Sequence, residues 1–265
     1  MGTFCDIGTR FKDVRGGVQM KRALIITVAG TSTRFNQSAG GEWLKCLYYE
    51  ESSTNCLLYL IVSRAKNYDQ IIIVGGYKYA DLVAYVESLQ DKRITMVYNE
   101  HFVDYGSGYS FYLGLKAVNT NVKEITFVEG DLYYDTESFK KMQNADGSVL
   151  CVNHELILSN KAVVLYFDTN HRPHYIYDTS HKALQIDEPF EAIYNSGQMW
   201  KFSDSDLMRD VVAKLSDKEQ QGTNLIIIQN YLNRYQGELA IVPVETWYNC
   251  NTIIDYRNVL KQLNQ

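Results

Sequence analysis

The stretch Ala23-Leu24-Ile25-Ile26-Thr27-Val28-Ala29-Gly30-Thr31-Ser32-Thr33-Arg34, with Lys45 further on between Leu44 and Cys46-Leu47, decides the reading of this chain. An apolar run from Ala23 to Ala29, bounded by turn residues, predicts a buried strand of a parallel sheet. In open α/β sheets, ligands bind beyond the carboxyl ends of the strands. The loop that follows is built of small residues, so its backbone N–H groups can approach a phosphate, and such concave backbone sites hold anions. Arg34 adds a planar fork that matches phosphate oxygens, and Lys45 adds a mobile point charge. The combination suits a nucleoside triphosphate. A strand-turn with an ordinary surface arginine is the plainer alternative.

Working outward, residues 54–66 read as a helix with Ser53 or Thr54 as N-cap. Gln70 to Val74 is a second buried strand ending at Gly75-Gly76, 79–90 a helix, and Arg93 to Tyr98 a third strand. Strand–helix–strand–helix–strand at this spacing predicts a parallel sheet with right-handed crossovers. Gly106-Ser107-Gly108 lacks the third glycine of a dinucleotide fingerprint and leads into a helix over 108–118. Glu124 to Val128 is a fourth strand, followed by Glu129-Gly130-Asp131. A carboxylate at that place, across from a phosphate loop, can hold Mg²⁺, which takes one or two carboxylates together with phosphate oxygens and water. The alternative for Asp131 is a helix cap. Asp135 reads as the cap of a helix over 136–142, because Thr136-Glu137 follow it.

Residues 147–153, 161–168 and 172–178 are β-rich. They carry His171 and His174, with His181 close by, but no cysteine or carboxylate cluster completes a zinc site. Lys161 and Lys182 are candidates to reach an acceptor phosphate, and no spacing selects one. Helices are expected over 204–215 and 223–235 and a strand over 238–244. Thr252 caps a last helix, with Asp255 in its first turn, where the dipole favours it.

The 265 residues allow one large α/β domain or two small ones. A hydrophobic share of 46% is ample for a core. A net charge of −5 without a basic stripe argues against a nucleic-acid partner. The 21 tyrosines, against 10 phenylalanines, suit a pocket for polar or cationic small molecules, or reflect compositional bias. Five scattered cysteines without a C-x-x-C pair fit reduced, buried thiols in a cytoplasmic protein. No apolar run is long enough to cross a membrane as a helix. Residues 1–19 have no apolar signal core and read as a flexible N-terminal extension before a single domain over 20–265.

Ala29-Gly30-Thr31-Ser32-Thr33-Arg34 with the later Lys45 resembles the Ala-Gly-x-Gly-[Thr/Ser]-Arg…Lys signature of the sugar-phosphate nucleotidyltransferases. It departs from that pattern at Ser32, where the family has glycine; a serine there crowds the triphosphate or demands another backbone conformation. Further matches follow in family order: Phe127 to Asp131 for the apolar-Gly-Asp metal motif, Tyr194 to Phe202 for the segment around the acceptor glycine, and Trp247 to Tyr256 for the ending that carries the second metal ligand. That ligand falls on Asn251, an amide that brings no charge. The length and the 98–112 region are most similar to CTP:phosphocholine cytidylyltransferases and related makers of activated head groups for surface polysaccharides.

This resemblance implies an α/β fold of GT-A-like, Rossmann-like type: a three-layer α/β/α arrangement with a mostly parallel central mixed sheet and a small β-rich acceptor-binding region. It implies a Mg²⁺-dependent nucleotidyltransferase that moves CMP from CTP to a small phosphorylated acceptor such as phosphocholine, releasing pyrophosphate. Arg34, Lys45 and Asp131 would be catalytic, and Asp131 and Asn251 would hold the metal. Ala29, Gly30, Thr31, Ser32, Thr33, Gly75, Asn99, Ser107, Ser110 and Gly130 would bind the nucleotide. Tyr105, Tyr109, Tyr194, Gly197 and Trp200 would bind the acceptor, with the aromatic members as a cage for a quaternary ammonium. A homodimer is compatible with it. The alternatives are a sugar-1-phosphate enzyme using UTP or dTTP, a GT-A glycosyltransferase, and a nucleotide-binding protein without catalysis. The glycosyltransferase reading is weakened because no second carboxylate follows Asp131 in an Asp-x-Asp pattern.

Overall fold

The strand expected from Ala23 is β1 (Lys21–Val28) in the computed structural model, which describes residues 20–159, 162–176 and 184–264. Expectations placed on 1–19, Lys161, His181 and Lys182 lie outside the described residues. Along the chain come α1 (Thr33–Ala39), α2 (Leu57–Arg64), β2 (Gln70–Gly75), α3 (Tyr79–Ser88), β3 (Ile94–Tyr98), α4 (Ser107–Lys116), β4 (Val122–Glu129), β5 (Leu132–Tyr134) and α5 (Thr136–Asn144). The second half follows with β6 (Ser148–Asn153), β7 (Val164–Asp168), β8 (Pro173–Tyr175), β9 (Phe190–Phe202), α6 (Ser205–Lys214), α7 (Asp217–Gln220), α8 (Asn224–Leu232), β10 (Leu239–Val244), β11 (Trp247–Asn249) and α9 (Ile253–Leu263).

The main sheet runs β10-β6-β9-β4-β1-β2-β3. β1 is parallel to both β2 and β4, and β9 is antiparallel to β4 and β6. β1 therefore lies inside the sheet, which is why both of its faces are apolar. Ala23 and Ile25 join Ile125 and Phe127 on the face covered by α4, α6 and α8. Leu24, Ile26 and Val28 face the other way, toward α2, α3 and α5. α4 packs close because Gly114 has no side chain: a Cβ there would lie 2.6 Å from Ile25 Cγ2. The fold class is the expected one, three layers around a mostly parallel mixed sheet. β7 and β8 form the expected β-rich extension, hydrogen-bonded to β9.

Three local features differ from expectation. α1 starts directly after the Gly30 loop, where the sequence suggested only loop. The helix expected over 54–66 is shorter. Ser52 Oγ accepts from Thr54 N and stabilises a separate turn over Ser53–Asn55, and Cys56, in extended conformation, enters α2 without a side-chain cap. The largest departure is β5, which pairs antiparallel with β11 as a two-stranded ladder aligning Leu132 with Asn249. In chain order β5 follows Asp131 and β11 leads to Asn251, so this small ladder brings the two together.

Candidate active site

The loop beyond β1 folds around Ser32. Its φ of 58° is left-handed, a conformation that costs a residue with a Cβ about 1 kcal/mol or more. The position where the resembling family has glycine is thus one where glycine is conformationally favoured, and the serine adopts the glycine conformation here. Its Oγ accepts from the Lys45 backbone N–H at 3.2 Å, tying the loop to the segment that carries the lysine. Thr31 and Thr33 share a hydrogen bond between their hydroxyls at 2.9 Å. The Ala29 carbonyl accepts from Tyr77 N. A Cβ on Gly30 would meet no heavy atom within 4 Å, so the space beside this backbone is open.

Beyond the loop four polar groups converge from distant parts of the sequence. Lys45 Nζ donates to Asp131 Oδ2 at 2.6 Å and to Asn251 Oδ1 at 3.3 Å. Arg34 Nη2 donates to the same Asn251 oxygen at 2.9 Å. Asn251 is oriented by its backbone N–H, held by Asp255 Oδ2, and by its amide N–H, which bonds Asn249 Oδ1. Cys250 N donates to the Asp131 carbonyl at 2.8 Å and closes the β5–β11 ladder beside the carboxylate. Asp131 is not a helix cap; Asp135 is, accepting from Ser138 N at 2.8 Å. Gly130 is required by packing: a Cβ there would lie 2.2 Å from Val28 Cγ1.

A cleft of about 480 Å³ opens from Arg34 across the carboxyl edge of β1 and β4, reaching Tyr105, Ser110 and Asn224. Its far wall forms where Gly106 N and Gly108 N donate to the carbonyls of Gln221 and Gly222. A Cβ on Gly106 would lie 2.3 Å from Gly222 O, so this glycine admits the α7–α8 turn rather than a ligand. Asn99 and Ser110, both expected to bind nucleotide, line the cleft hydrogen-bonded to each other at 2.9 Å. Ser107 Oγ accepts from Asn224 N. Sequence reasoning missed Glu129 and Asn224, which both line the cleft and are directly bonded, Asn224 Nδ2 donating to Glu129 Oε1 at 2.7 Å. Burial first, then the charge of Asp131, pushes the Glu129 carboxyl up to about 7, against the pull of Asn224 and Lys45. Period-two reading of β4 carried a signal for it, since Ile125, Phe127 and Glu129 share one face; for Asn224 the sequence offered none.

Several expected site residues lie elsewhere. Trp200 is fully buried, stacked on Phe127 at 5.2 Å, and its indole N–H donates to Tyr175 Oη, so it belongs to the core and lines no acceptor site. Gly75 is buried in β2, where a Cβ would lie 2.3 Å from Leu82, so its role is to seat α3. Gly197 lies in the buried part of β9 and gives its carbonyl to Trp247 Nε1. Tyr194 packs edge-on against Phe167. Tyr109 packs in a cluster with His101 and Tyr105, its ring 5.0 Å from that of Tyr105, and of this cluster Tyr105 does line the cleft. Of the four aromatic residues expected to form a cage, Tyr105 and Tyr109 are together, whereas Tyr194 packs on Phe167 and Trp200 is buried on Phe127. His174 and His171 each pair with a local carboxylate, Asp168 and Glu191. Cys46, Cys56, Cys151 and Cys250 are free, buried thiols, as expected.

A family profile described as Domain of unknown function (DUF6564) matches residues 41–263. The chain belongs to that family. The DUF6564 match contains Lys45, Glu129, Asp131, Asn224 and Asn251, whereas the Gly30 loop precedes it. No curated protein sequence matches the chain. Among solved structures it is similar to the inositol-1-phosphate CTP transferase from T. maritima, at 15% identity and a TM-score of 0.65 over 92% of this chain and 96% of that one. It is similar to the CTP:phosphocholine cytidylyltransferase from Streptococcus pneumoniae, at 16% and 0.62 over 93% and 100%. A protein assigned as a glucose-1-phosphate thymidylyltransferase from Bacillus anthracis aligns at 15% and 0.65 over 91% and 94%. This DUF6564 member therefore has the nucleotidyltransferase fold over nearly its whole length. Among the described residues, no helix is long and apolar enough to cross a membrane.

Proposed function

We propose that the chain transfers a nucleoside monophosphate, CMP from CTP in the first instance, to a small phosphorylated acceptor. The observation that carries this reading is the convergence of Arg34, Lys45, Asp131 and Asn251 at the mouth of an open phosphate loop. An acceptor phosphate oxygen attacks the α-phosphorus; the bond between that phosphorus and the oxygen bridging to the β-phosphate breaks, and pyrophosphate leaves. The acceptor is already a nucleophile, so the protein contributes alignment and charge neutralisation.

The donor set fits Mg²⁺: one carboxylate oxygen from Asp131 and one amide oxygen from Asn251, with remaining positions left for phosphates and water. Bound there, Mg²⁺ would neutralise phosphate charge and align the two substrates. Arg34 and Lys45 now hold those two oxygens. When the triphosphate arrives, its oxygens are stronger partners for both cations, so Arg34 can turn to the leaving pyrophosphate and Lys45 to the α-phosphate. The same exchange frees Asp131 and Asn251 to ligate. Sugar-1-phosphate transfer with UTP or dTTP uses the same parts. Phosphocholine and similar head-group phosphates are the first acceptors to screen, although burial of Trp200 and the packing of Tyr194 on Phe167 leave only Tyr105 and Tyr109 of the four expected cage residues together.

A thermal-shift panel of CTP, UTP, dTTP, ATP and GTP, with and without Mg²⁺, tests the reading, because a ligand that binds only the folded chain raises Tm. A selective Mg²⁺-dependent shift with CTP is expected, followed by pyrophosphate release with a phosphorylated acceptor. Asp131→Ala should fold normally and lose turnover. Near-normal turnover in that variant, or no shift with any triphosphate, would sink the proposal.

A further inference from the structure

Thr27 and Glu129 are register partners at the carboxyl edge of β1 and β4, and both line the cleft. Strand alternation turns Glu129 onto the face where Ile125 and Phe127 enter the apolar core. A carboxylate ending an apolar row is costly to desolvate unless it is partnered. Its Oε1 is held by the amide of Asn224, the residue that opens α8. Its Oε2 accepts no hydrogen bond among the described residues. The Asn224 backbone N–H is in turn fixed by Ser107 Oγ. The pair is therefore anchored from two helices and leaves one carboxyl oxygen of a cleft-lining residue without a protein partner among the described residues.

What Glu129 faces follows from the cleft's two ends. One end is Arg34, where the phosphates gather. The other holds Asn99 and Ser110, whose side-chain groups are engaged with each other. Glu129 is two residues from Asp131, pairs in register with Thr27 and lines the same cleft as Gly30 and Arg34, so it stands beside the loop that the triphosphate reading gives to the phosphates. In a nucleoside triphosphate the group next to the α-phosphate is the sugar. A ribose offers two adjacent hydroxyl donors there, and with Glu129 Oε1 held by Asn224 the lone pairs of Oε2 remain to accept from them.

We propose that Glu129, positioned by Asn224, reads the vicinal diol of a ribose and makes the site selective for ribonucleoside over 2′-deoxyribonucleoside triphosphates. The inference rests on the triphosphate reading above. It points to CTP or UTP rather than dTTP as donor. A 2′-deoxy sugar would leave this desolvated oxygen, Glu129 Oε2, unpaired, which gives selectivity of about ten- to a hundred-fold.

Isothermal titration of the full chain, with Mg²⁺ and without acceptor, would compare CTP with 2′-deoxy-CTP and UTP with 2′-deoxy-UTP. The expected result is at least about ten-fold tighter binding of each ribonucleotide. Glu129→Ala should bring each pair to similar affinity, mainly by weakening the ribonucleotide. Glu129→Gln, of the same shape, should keep part of the difference and guards against a folding defect in the alanine variant. Equal affinities in the unaltered chain, or a preference that survives Glu129→Ala, overturn the inference and leave the triphosphate reading standing. If no triphosphate binds, both fall.

Discussion

Gly30 and Gly106 are both glycines beside the cleft, and their surroundings separate two reasons for having no side chain. Around Gly106 a Cβ would collide with the Gly222 backbone; around Gly30 it would meet nothing within 4 Å. Gly30 is therefore not held by the protein's own packing, and the space beside it is where a phosphate can come against the backbone. Gly30→Ala should leave Tm unchanged within about 0.5 kcal/mol of stability, as for a substitution that touches no packed neighbour. It should weaken triphosphate binding by ten-fold or more, read by titration. Unchanged binding would remove the loop from the site. The sequence made Arg34, Lys45 and Asp131 legible because charged residues at strand ends stand out against apolar runs. It made Trp200 misleading, since a tryptophan near a glycine in a polar stretch looks the same whether it lines a pocket or stacks on Phe127.

Between elements, the second metal-ligand candidate depends on a chain of local devices. Asp135 caps α5, and the same carboxylate accepts from Thr246 N at 3.0 Å, just before β11. Burial opposes its ionisation, but the bonds from Ser138 and Thr246 outweigh that and hold its carboxyl below the usual aspartate range. Asp135→Ala should destabilise the chain by about 1–2 kcal/mol, as measured by denaturant melts. Because the folded value is depressed, this contribution is present above the unfolded aspartate value of about 3.9 and fades as pH falls through the folded one. The difference between the two proteins should therefore shrink in acid; a gap that stays constant down to the acid transition would refute the role. The α/β succession was readable from period and caps. The β5–β11 ladder was not, because three-residue strands carry too little pattern to distinguish them from loop.

Across the whole molecule, β9 joins the parallel half of the sheet to the β6–β10 half, and Trp200 sits at that seam with no exposure. Trp200→Ala should cost about 3–5 kcal/mol, as for other large-to-small changes in a core. Trp200→Phe should retain triphosphate and acceptor affinities in titration; a selective loss of acceptor affinity in a stable Phe variant would restore the tryptophan to the site. The strands and their apolar faces follow from runs legible in the sequence, but sheet order and the meeting of residues far apart along the chain depend on topology that local pattern does not encode. The β5–β11 ladder shows what that entails for a chain under synthesis. The Gly30 loop, Lys45 and Asp131 emerge from the ribosome before Asn251, which cannot join them until the segment from Trp247 to Asn249 has also emerged and paired. A nascent chain thus carries Asp131 and Lys45 without Asn251, and the proposed site is complete only once β11 has paired with β5.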